Sequence, residues 1–223
     1  MITDSRSLLV AGTDTGVGKT IATLALAATW WQRRGPCGLY KPVQCGPGDR
    51  EQYLNTLPLD QTLDDITPFY FTAPLAPPLA AALEGRVVDL GILWQQYQRL
   101  QERFAMVFVE AAGGLGTPVT AEYTFADLAR DWHLPTVLVV PVRLGAIAQA
   151  VATVAYARSQ KIAVKGIILN AATEEAYQRQ EEWAPTDILA RLTYTSILGT
   201  IPPLQTLDRE ALRQAGEQLD WLP

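Results

Sequence analysis

The segment Gly12-Thr13-Asp14-Thr15-Gly16-Val17-Gly18-Lys19-Thr20 constrains this chain more than any other feature. It follows a short apolar run, Leu8 to Ala11, and opens a stretch of helical periodicity from Thr20 to Arg34. Glycines permit a tight turn, and successive backbone N–H groups with the helix N-terminus then face an anion. Lys19 adds a cation, and the Thr20 hydroxyl is placed to ligate Mg²⁺. A bland Gly-rich turn has no reason to end in Gly-Lys-Thr at a helix start. The segment reads as a phosphate-binding loop, with Gly16, Val17, Gly18, Lys19, Thr20 and Ile21 around the phosphates of ATP.

The spacing differs from the usual P-loop, because five residues separate Gly12 from Gly18 and Thr13 stands where the first glycine usually does. Related partition-type ATPases carry a second lysine at the position of Asp14, so their lysine-exchanging, dimer-activated mechanism is not supported. GTPases of the fold group read guanine with Asn-Lys-x-Asp, whereas the matching strand end here is Asn170-Ala171-Ala172.

Apolar runs alternate with helical stretches along the chain. Strands are predicted at Leu8 to Ala11, Gly38 to Lys41, Met106 to Glu110, Thr136 to Val140, Gly166 to Leu169 and Ile197 to Thr200. Helices are predicted over Thr20 to Arg34, Gly91 to Phe104, Phe125 to Trp132, Ala146 to Ser159, Thr173 to Leu192 and Asp208 to Ala215. In the first helix, Ile21, Leu24, Ala25, Ala28 and Trp31 place one face on a sheet. The pattern implies an α/β fold: a mainly parallel sheet flanked by helices, in the three-layer, Rossmann-like architecture of P-loop NTPases. A single domain spanning residues 1–223 is expected at this length. Gly46 to Pro78 holds so many prolines that it reads as a long surface excursion without regular elements, of the kind that covers active sites.

Charge and hydropathy exclude several classes. With 18 Lys and Arg against 23 Asp and Glu, the chain has no basic stripe for nucleic acid. Met1 to Gly12 lacks the pattern of a secretory leader, and no apolar run is long enough to span a membrane, so a cytoplasmic protein is expected. Cys37 and Cys45 with the single His133 make neither a zinc site nor a disulfide framework, and both thiols are expected to be reduced.

Mg²⁺ takes one or two carboxylates besides phosphate oxygens and water. Glu110 ends a predicted strand ahead of a flexible Ala111-Ala112-Gly113-Gly114, beside the phosphate loop; the other reading is a carboxylate that caps the next segment. Asp49, in Gly46-Pro47-Gly48-Asp49, reads either as a second ligand or as a plain Asx-turn residue. Lys41 precedes Pro42 at a strand end, which puts its ammonium at the carboxyl edge of the sheet, where such folds bind ligands. There it reads as a catalytic cation for phosphoryl transfer, or else as a solvated lysine.

These segments, together with Tyr40-Lys41-Pro42-Val43 plus Gly46, Val109-Glu110-Ala111-Ala112-Gly113-Gly114 and Pro141-Val142-Arg143-Leu144-Gly145, resemble the ordered landmarks of the dethiobiotin synthetase family over nearly the whole chain. The resemblance implies ATP, Mg²⁺, CO₂ or bicarbonate, and 7,8-diaminononanoate. One amine becomes a carbamate, its oxygen attacks the γ-phosphate, and the second amine closes the cyclic urea by displacing phosphate. It further implies that Lys19 and Lys41 stabilise phosphoryl and carbamate oxygens, that Thr15 lies beside the carbamate, and that Thr20, Asp49 and Glu110 hold the metal. Ala111, Ala112 and Gly113 join the nucleotide site by the same likeness, with Asn170, Pro202, Pro203 and Leu204 around adenine. A homodimer is implied, with Gly145, Ala146 and Ile147 receiving the distant substrate carboxylate near the interface. Helix N-terminal N–H groups suit that carboxylate, although a simple buried helix start fits this segment equally well.

Two positions depart from the family pattern. Cys45 stands where a serine commonly contacts substrate, and Ala111 replaces the first glycine of Glu-Gly-Ala-Gly-Gly. Nothing near Cys45 marks an activated thiolate, so it is assigned no nucleophilic role and reads either as a pocket-lining residue or as a small, partly buried one. His133 reads as a loop residue, and Trp30 and Trp31 as helix packing. The competing readings are another carboxylate-activating ATPase of the fold group, such as the synthetases that amidate corrinoid precursors, and a nucleotide-switched partition protein. The first generally carries a glutamine-hydrolysing domain for which this chain has no room, and Asp14 argues against the second.

Overall fold

The computed structural model describes residues 6–222, so the start of the segment read for a leader lies outside them. In chain order the elements are β1 (Ser7–Gly12), α1 (Lys19–Arg34), β2 (Gly38–Tyr40), β3 (Val43–Cys45), α2 (Asp49–Thr56), α3 (Leu63–Ile66), β4 (Phe69–Phe71), α4 (Pro77–Leu83), α5 (Leu90–Arg103), β5 (Val107–Gly114), α6 (Phe125–Asp131), β6 (Thr136–Pro141), α7 (Ala146–Ser159), β7 (Val164–Asn170), α8 (Glu174–Gln178), α9 (Gln180–Trp183), α10 (Thr186–Thr193), β8 (Ile197–Ile201) and α11 (Arg209–Glu217). The main sheet is parallel, in the order β2-β5-β1-β6-β7-β8, and β3 pairs with β4 in a small parallel ladder. All six predicted strands are in the main sheet.

Alternation along the strands divides the core in two. Leu9, Ala11, Val107, Val109, Leu138 and Val140 join one cluster with residues of α5, α6, α7 and α10. Leu8, Val10, Phe108, Val137, Val139 and Ile168 join the other, with residues of α1, α2 and α11. Helices thus cover both faces, which is why several strands are apolar over most of their length. The first helix differs from its one-faced expectation, because side chains from Ala22 to Thr29 are all buried. Helix α11 covers its outer side so closely that a Cβ at Gly216 would stand 2.2 Å from the Ala25 carbonyl oxygen. Trp30 packs edge-on against Phe108 with 6.5 Å between ring centroids, a core role as predicted.

The stretch from Gly46 to Pro78 corrects its reading as an excursion without regular elements. It contains α2, α3, β4 and the start of α4, and buries Tyr53, Leu57, Ile66 and Phe71. Its prolines stand where each element tolerates them: Pro77 opens α4, Pro58 follows the end of α2, and Pro68 precedes β4. The same stretch seals the sheet edge. The Gln61 side chain accepts from the Leu39 N–H at 2.8 Å and donates to the Leu39 carbonyl at 2.9 Å, taking the place of a further strand beside β2.

Two further expectations change. Residues Thr173 to Leu192 form α8, α9 and α10 in place of one helix, because Arg179 leaves helical geometry and Pro185 supplies no N–H to continue it. Residues Ala111 to Gly114 are not a flexible loop: β5 runs on through Gly114, which is paired with Gly12.

Candidate active site

The phosphate loop leaves β1 with the Thr13 N–H donating to the Val139 carbonyl at 3.1 Å. Gly16 and Gly18 have φ of 72° and 94°, the left-handed region that favours glycine. Gly18 is also the residue before α1, and no side chain caps the first turn there, so the helix N-terminus is open to an anion. The Asn170 Nδ2 donates to the Val17 carbonyl at 3.0 Å and packs on Gly18, where a Cβ would stand only 2.0 Å from it. Lys19 Nζ reaches back to the Asp14 carbonyl at 3.1 Å and arches over the loop. Burial, helped by the nearby Lys41 ammonium, pulls the Lys19 ammonium below its ordinary range, although Glu110 opposes the shift.

Beside the loop, four side chains from four parts of the chain converge. Lys41, just past β2, places Nζ 2.5 Å from Asp49 Oδ2 and 2.5 Å from Glu110 Oε1. The Thr20 hydroxyl is 2.8 Å from Asp49 Oδ1 and 3.1 Å from Glu110 Oε1. Asp49 is the first residue of α2, so it is not the Asx-turn residue of the alternative reading, and Lys41 is buried, so it is not a solvated lysine. Burial alone would lower the Lys41 pKa. Glu110 and Asp49 together outweigh it and hold the ammonium above its ordinary range. For Asp49, burial favours the neutral acid, but Lys41 and the Thr20 hydroxyl overcome it and keep the carboxyl below the usual value.

The position of Asp49 is set by the turn before it. The buried Gln44 side chain accepts from the Arg50 N–H at 2.9 Å and donates to the Gly46 carbonyl at 3.0 Å. Glu51 accepts from the Gly48 N–H at 3.1 Å, which closes the first turn of α2. Tyr53, one turn further along α2, donates its hydroxyl to Glu110 Oε2. Its own ionisation is pushed well above the ordinary phenol range, first by burial and then by Glu110, so it stays a donor.

Thr20, Asp49 and Glu110 suit a hard divalent cation: two carboxylates each place an oxygen within 3.1 Å of the Thr20 hydroxyl at the end of the phosphate loop. Among the described residues no group of three or more His, Cys, Asp or Glu side chains could hold a metal. A divalent cation held by these groups would need further oxygen ligands, which phosphate and water can supply.

A cleft of about 1050 Å³ opens over these groups. Thr15, Gly16, Lys19, Thr20 and Ile21 form one wall, Lys41, Asp49 and Glu110 the floor, and Pro74 to Pro77 with Cys45 another side. The proline-rich stretch thus borders the cleft as its composition indicated.

Residues 6–211 match a family model described as an AAA domain. The chain is 47% identical to the ATP-dependent dethiobiotin synthetase BioD of Gloeobacter violaceus, over 96% of this chain and 93% of that protein. It is 48% identical to the protein of the same name from Gloeothece citriformis, over 96% of both chains. This chain belongs to the dethiobiotin synthetase family. Among solved structures, a ParA family ATPase from Chlorobium tepidum superposes with a TM-score of 0.55 at 15% identity, covering 97% of this chain and 94% of that one. The MinD cell division protein of Aquifex aeolicus gives 0.54 at 14%, covering 95% and 87%. These two likenesses show the P-loop fold alone.

The remaining predicted residues of this dethiobiotin synthetase family member fall into separate places. Ala112 lines the cleft, whereas Ala111 is buried in the core and Gly113 packs against Thr117, whose Oγ1 a Cβ there would meet at 2.4 Å. Asn170 lies behind the phosphate loop, at the end of β7, and Pro202, Pro203 and Leu204 follow β8; none of these four lines the cleft. The Gly145 turn has φ of 88° and starts α7, with Ala146 buried and Ile147 half-buried. It adjoins the phosphate loop through Arg143, whose Nη2 is 3.5 Å from Asp14 Oδ2. Half-buried Cys45 has its thiol pushed up to about 11, chiefly by burial, in line with a pocket wall and not a nucleophile. His133 is an exposed loop residue with φ of 53°.

Sequence reasoning missed Tyr53, Gln44 and the cleft residues Gly116, Thr117 and Pro118. A tyrosine one turn after a candidate ligand was the available signal for Tyr53. Nothing local marks the others.

Proposed function

We propose that this chain carries out the ATP- and Mg²⁺-dependent carboxylation and ring closure of 7,8-diaminononanoate with CO₂, giving dethiobiotin, ADP and phosphate. The observation that supports this most directly is the Lys41 ammonium held 2.5 Å from both Asp49 and Glu110 on the floor of the cleft, next to the phosphate loop. That placement suits transfer of a phosphoryl group to a small anionic acceptor lying in the same cleft.

The phosphate loop, from Gly16 to Ile21, holds the nucleotide phosphates, and Lys19 follows the charge that moves with the γ-phosphoryl group. Thr20, Asp49 and Glu110 would hold Mg²⁺, which would supply neutralisation of phosphate charge. Lys41 faces the oxygens shared between carbamate and phosphoryl group, where a buried cation stabilises the transition state more than the ground state. Thr15, exposed at the cleft wall, lies beside the carbamate. The carbamate oxygen attacks the γ-phosphorus and ADP leaves. The second amine then attacks the carbonyl carbon of the mixed anhydride, phosphate departs, and the ring closes. Cys45 contributes wall contact to the substrate.

Ala111, Ala112 and Gly113 form the strand that backs the nucleotide. Asn170 and Pro202 to Leu204 surround the base, and the Asn170 contact with Val17 ties base and phosphate subsites together. The protein acts as a cytoplasmic homodimer of single-domain subunits, with Gly145, Ala146 and Ile147 receiving the substrate carboxylate near the interface. Among the described residues no helix is long and apolar enough to cross a membrane.

Phosphate release from ATP tests the reading. It is expected to depend strongly on both diaminononanoate and bicarbonate and to be accompanied by dethiobiotin. Release indifferent to either compound rejects it.

A further inference from the structure

The buried carboxylate of Glu110 has partners on both oxygens. Oε1 meets Lys41 at 2.5 Å and Thr20 at 3.1 Å, facing the cleft, while Oε2 accepts from the hydroxyl of Tyr53 on the side of α2. Glu110 and Tyr53 are 1% and 0% exposed, so water does not substitute for either partner. A glutamate carboxylate can rotate about its last bond, and a partner on the rear oxygen helps fix which oxygen faces forward. Tyr53 is that partner. It is also on the helix whose first residue is Asp49, so one rigid turn of α2 carries one carboxylate to the site and orients the other.

We propose that Tyr53 is a positioning residue for the divalent cation: through its hydroxyl it sets the plane of Glu110, and through α2 it couples Glu110 to Asp49. This rests on the reading of Glu110 as a metal ligand given above. Hydrogen-bond partners behind ligating carboxylates typically change metal affinity by about 10- to 100-fold when removed. The Tyr53 hydroxyl donates to Glu110 and not to the phosphate loop, so nucleotide affinity without metal should be spared.

The test is binding of Mn²⁺ in the presence of ADP, followed by electron paramagnetic resonance, in the unaltered protein, Y53F, E110Q and the double variant. Thermal unfolding and metal-free ADP binding are measured alongside. Y53F is expected to weaken Mn²⁺ by about 10-fold with ADP affinity unchanged, E110Q to weaken it at least as much, and Y53F to add nothing in the E110Q background. Unchanged Mn²⁺ affinity in Y53F with a loss in E110Q overturns the role of Tyr53 and leaves Glu110 as a ligand. Unchanged affinity in E110Q removes Glu110 from the metal shell and overturns the proposal with it. Additive losses in the double variant also overturn it, because Tyr53 would then act otherwise than through Glu110. Should Y53F fail to fold, the slowly exchanging hydroxyl proton of Tyr53 in E110Q protein decides: its resonance is expected to shift, and an unmoved resonance refutes the coupling.

Discussion

The Lys41 ammonium lies 2.5 Å from Glu110 Oε1, and neither side chain exposes more than 4% of its surface. Two opposite charges buried this way each lose hydration that the other, with Asp49, Thr20 and Tyr53, replaces. A pair of this kind is poor at stabilising a fold and well suited to chemistry, because its field acts where water does not screen it.

Replacing Lys41 by Gln keeps a polar side chain of similar length and removes the charge. Turnover should fall on the order of 100-fold or more, while the affinity for ATP, which rests on the phosphate loop, changes far less. Steady-state kinetics with equilibrium nucleotide binding checks this, and equal loss of both would make Lys41 a simple nucleotide contact.

Asp49→Asn and Glu110→Gln should each raise the Mg²⁺ concentration needed for half-maximal activity. The measurement is a Mg²⁺ titration at saturating ATP. A residue whose replacement leaves the requirement unchanged does not belong to the metal site.

The folded pKa of Asp49 lies below its unfolded value, since burial is outweighed by Lys41 and Thr20. The unfolded chain therefore binds that proton more tightly. The contribution of Asp49 to stability is present above the unfolded carboxylate value of about 4 and is lost as pH falls through the folded value. Because the side chain is 42% exposed, solvent screens much of the effect. Urea denaturation from pH 6 downward should show a shallower acid limb for Asp49→Asn than for the unaltered protein.

Gly18→Ala should damage nucleotide binding severely. Its φ of 94° costs an L-residue about 1–2 kcal/mol, and the new Cβ would lie 2.0 Å from Asn170 Nδ2, so loop or Asn170 must move. Calorimetric titration with ADP measures the loss. Gly16→Ala, with open space around its Cβ, should cost only the backbone strain.

Gln61→Ala leaves the Leu39 N–H and carbonyl without partners at the edge of β2. A loss of about 2 kcal/mol or more is expected for unpaired buried backbone groups, measured by urea unfolding. Because Lys41 follows β2 directly, activity should also decline.

Local pattern carried much of this protein into view. The central strands β1, β5, β6 and β7 carry runs of Val, Ile, Leu and Phe buried on both faces, and that burial is what makes them legible. The phosphate loop was equally plain, since Gly16, Gly18, Lys19 and Thr20 act through neighbouring backbone. By contrast, the stretch from Gly46 to Pro78 hid four elements, because its helices are short and its one strand, β4, is a three-residue piece paired with β3 more than twenty positions earlier. Periodicity does not register elements that brief. Thr173 to Leu192 kept helical composition, yet breaks at Arg179 and Pro185 divided it.

The sequence by itself determined the parallel α/β architecture, the phosphate loop, and Lys41, Asp49 and Glu110 as the groups to watch, since each of these follows from residue types within a few positions of one another. Only the tertiary structure decided that Lys41 bridges two carboxylates 8 and 69 residues away, that Tyr53 stands behind Glu110, and that Asn170 packs on Gly18. Those contacts depend on the order of strands in the sheet and on how α2 lies against it, and such long-range packing leaves no periodic trace in the chain.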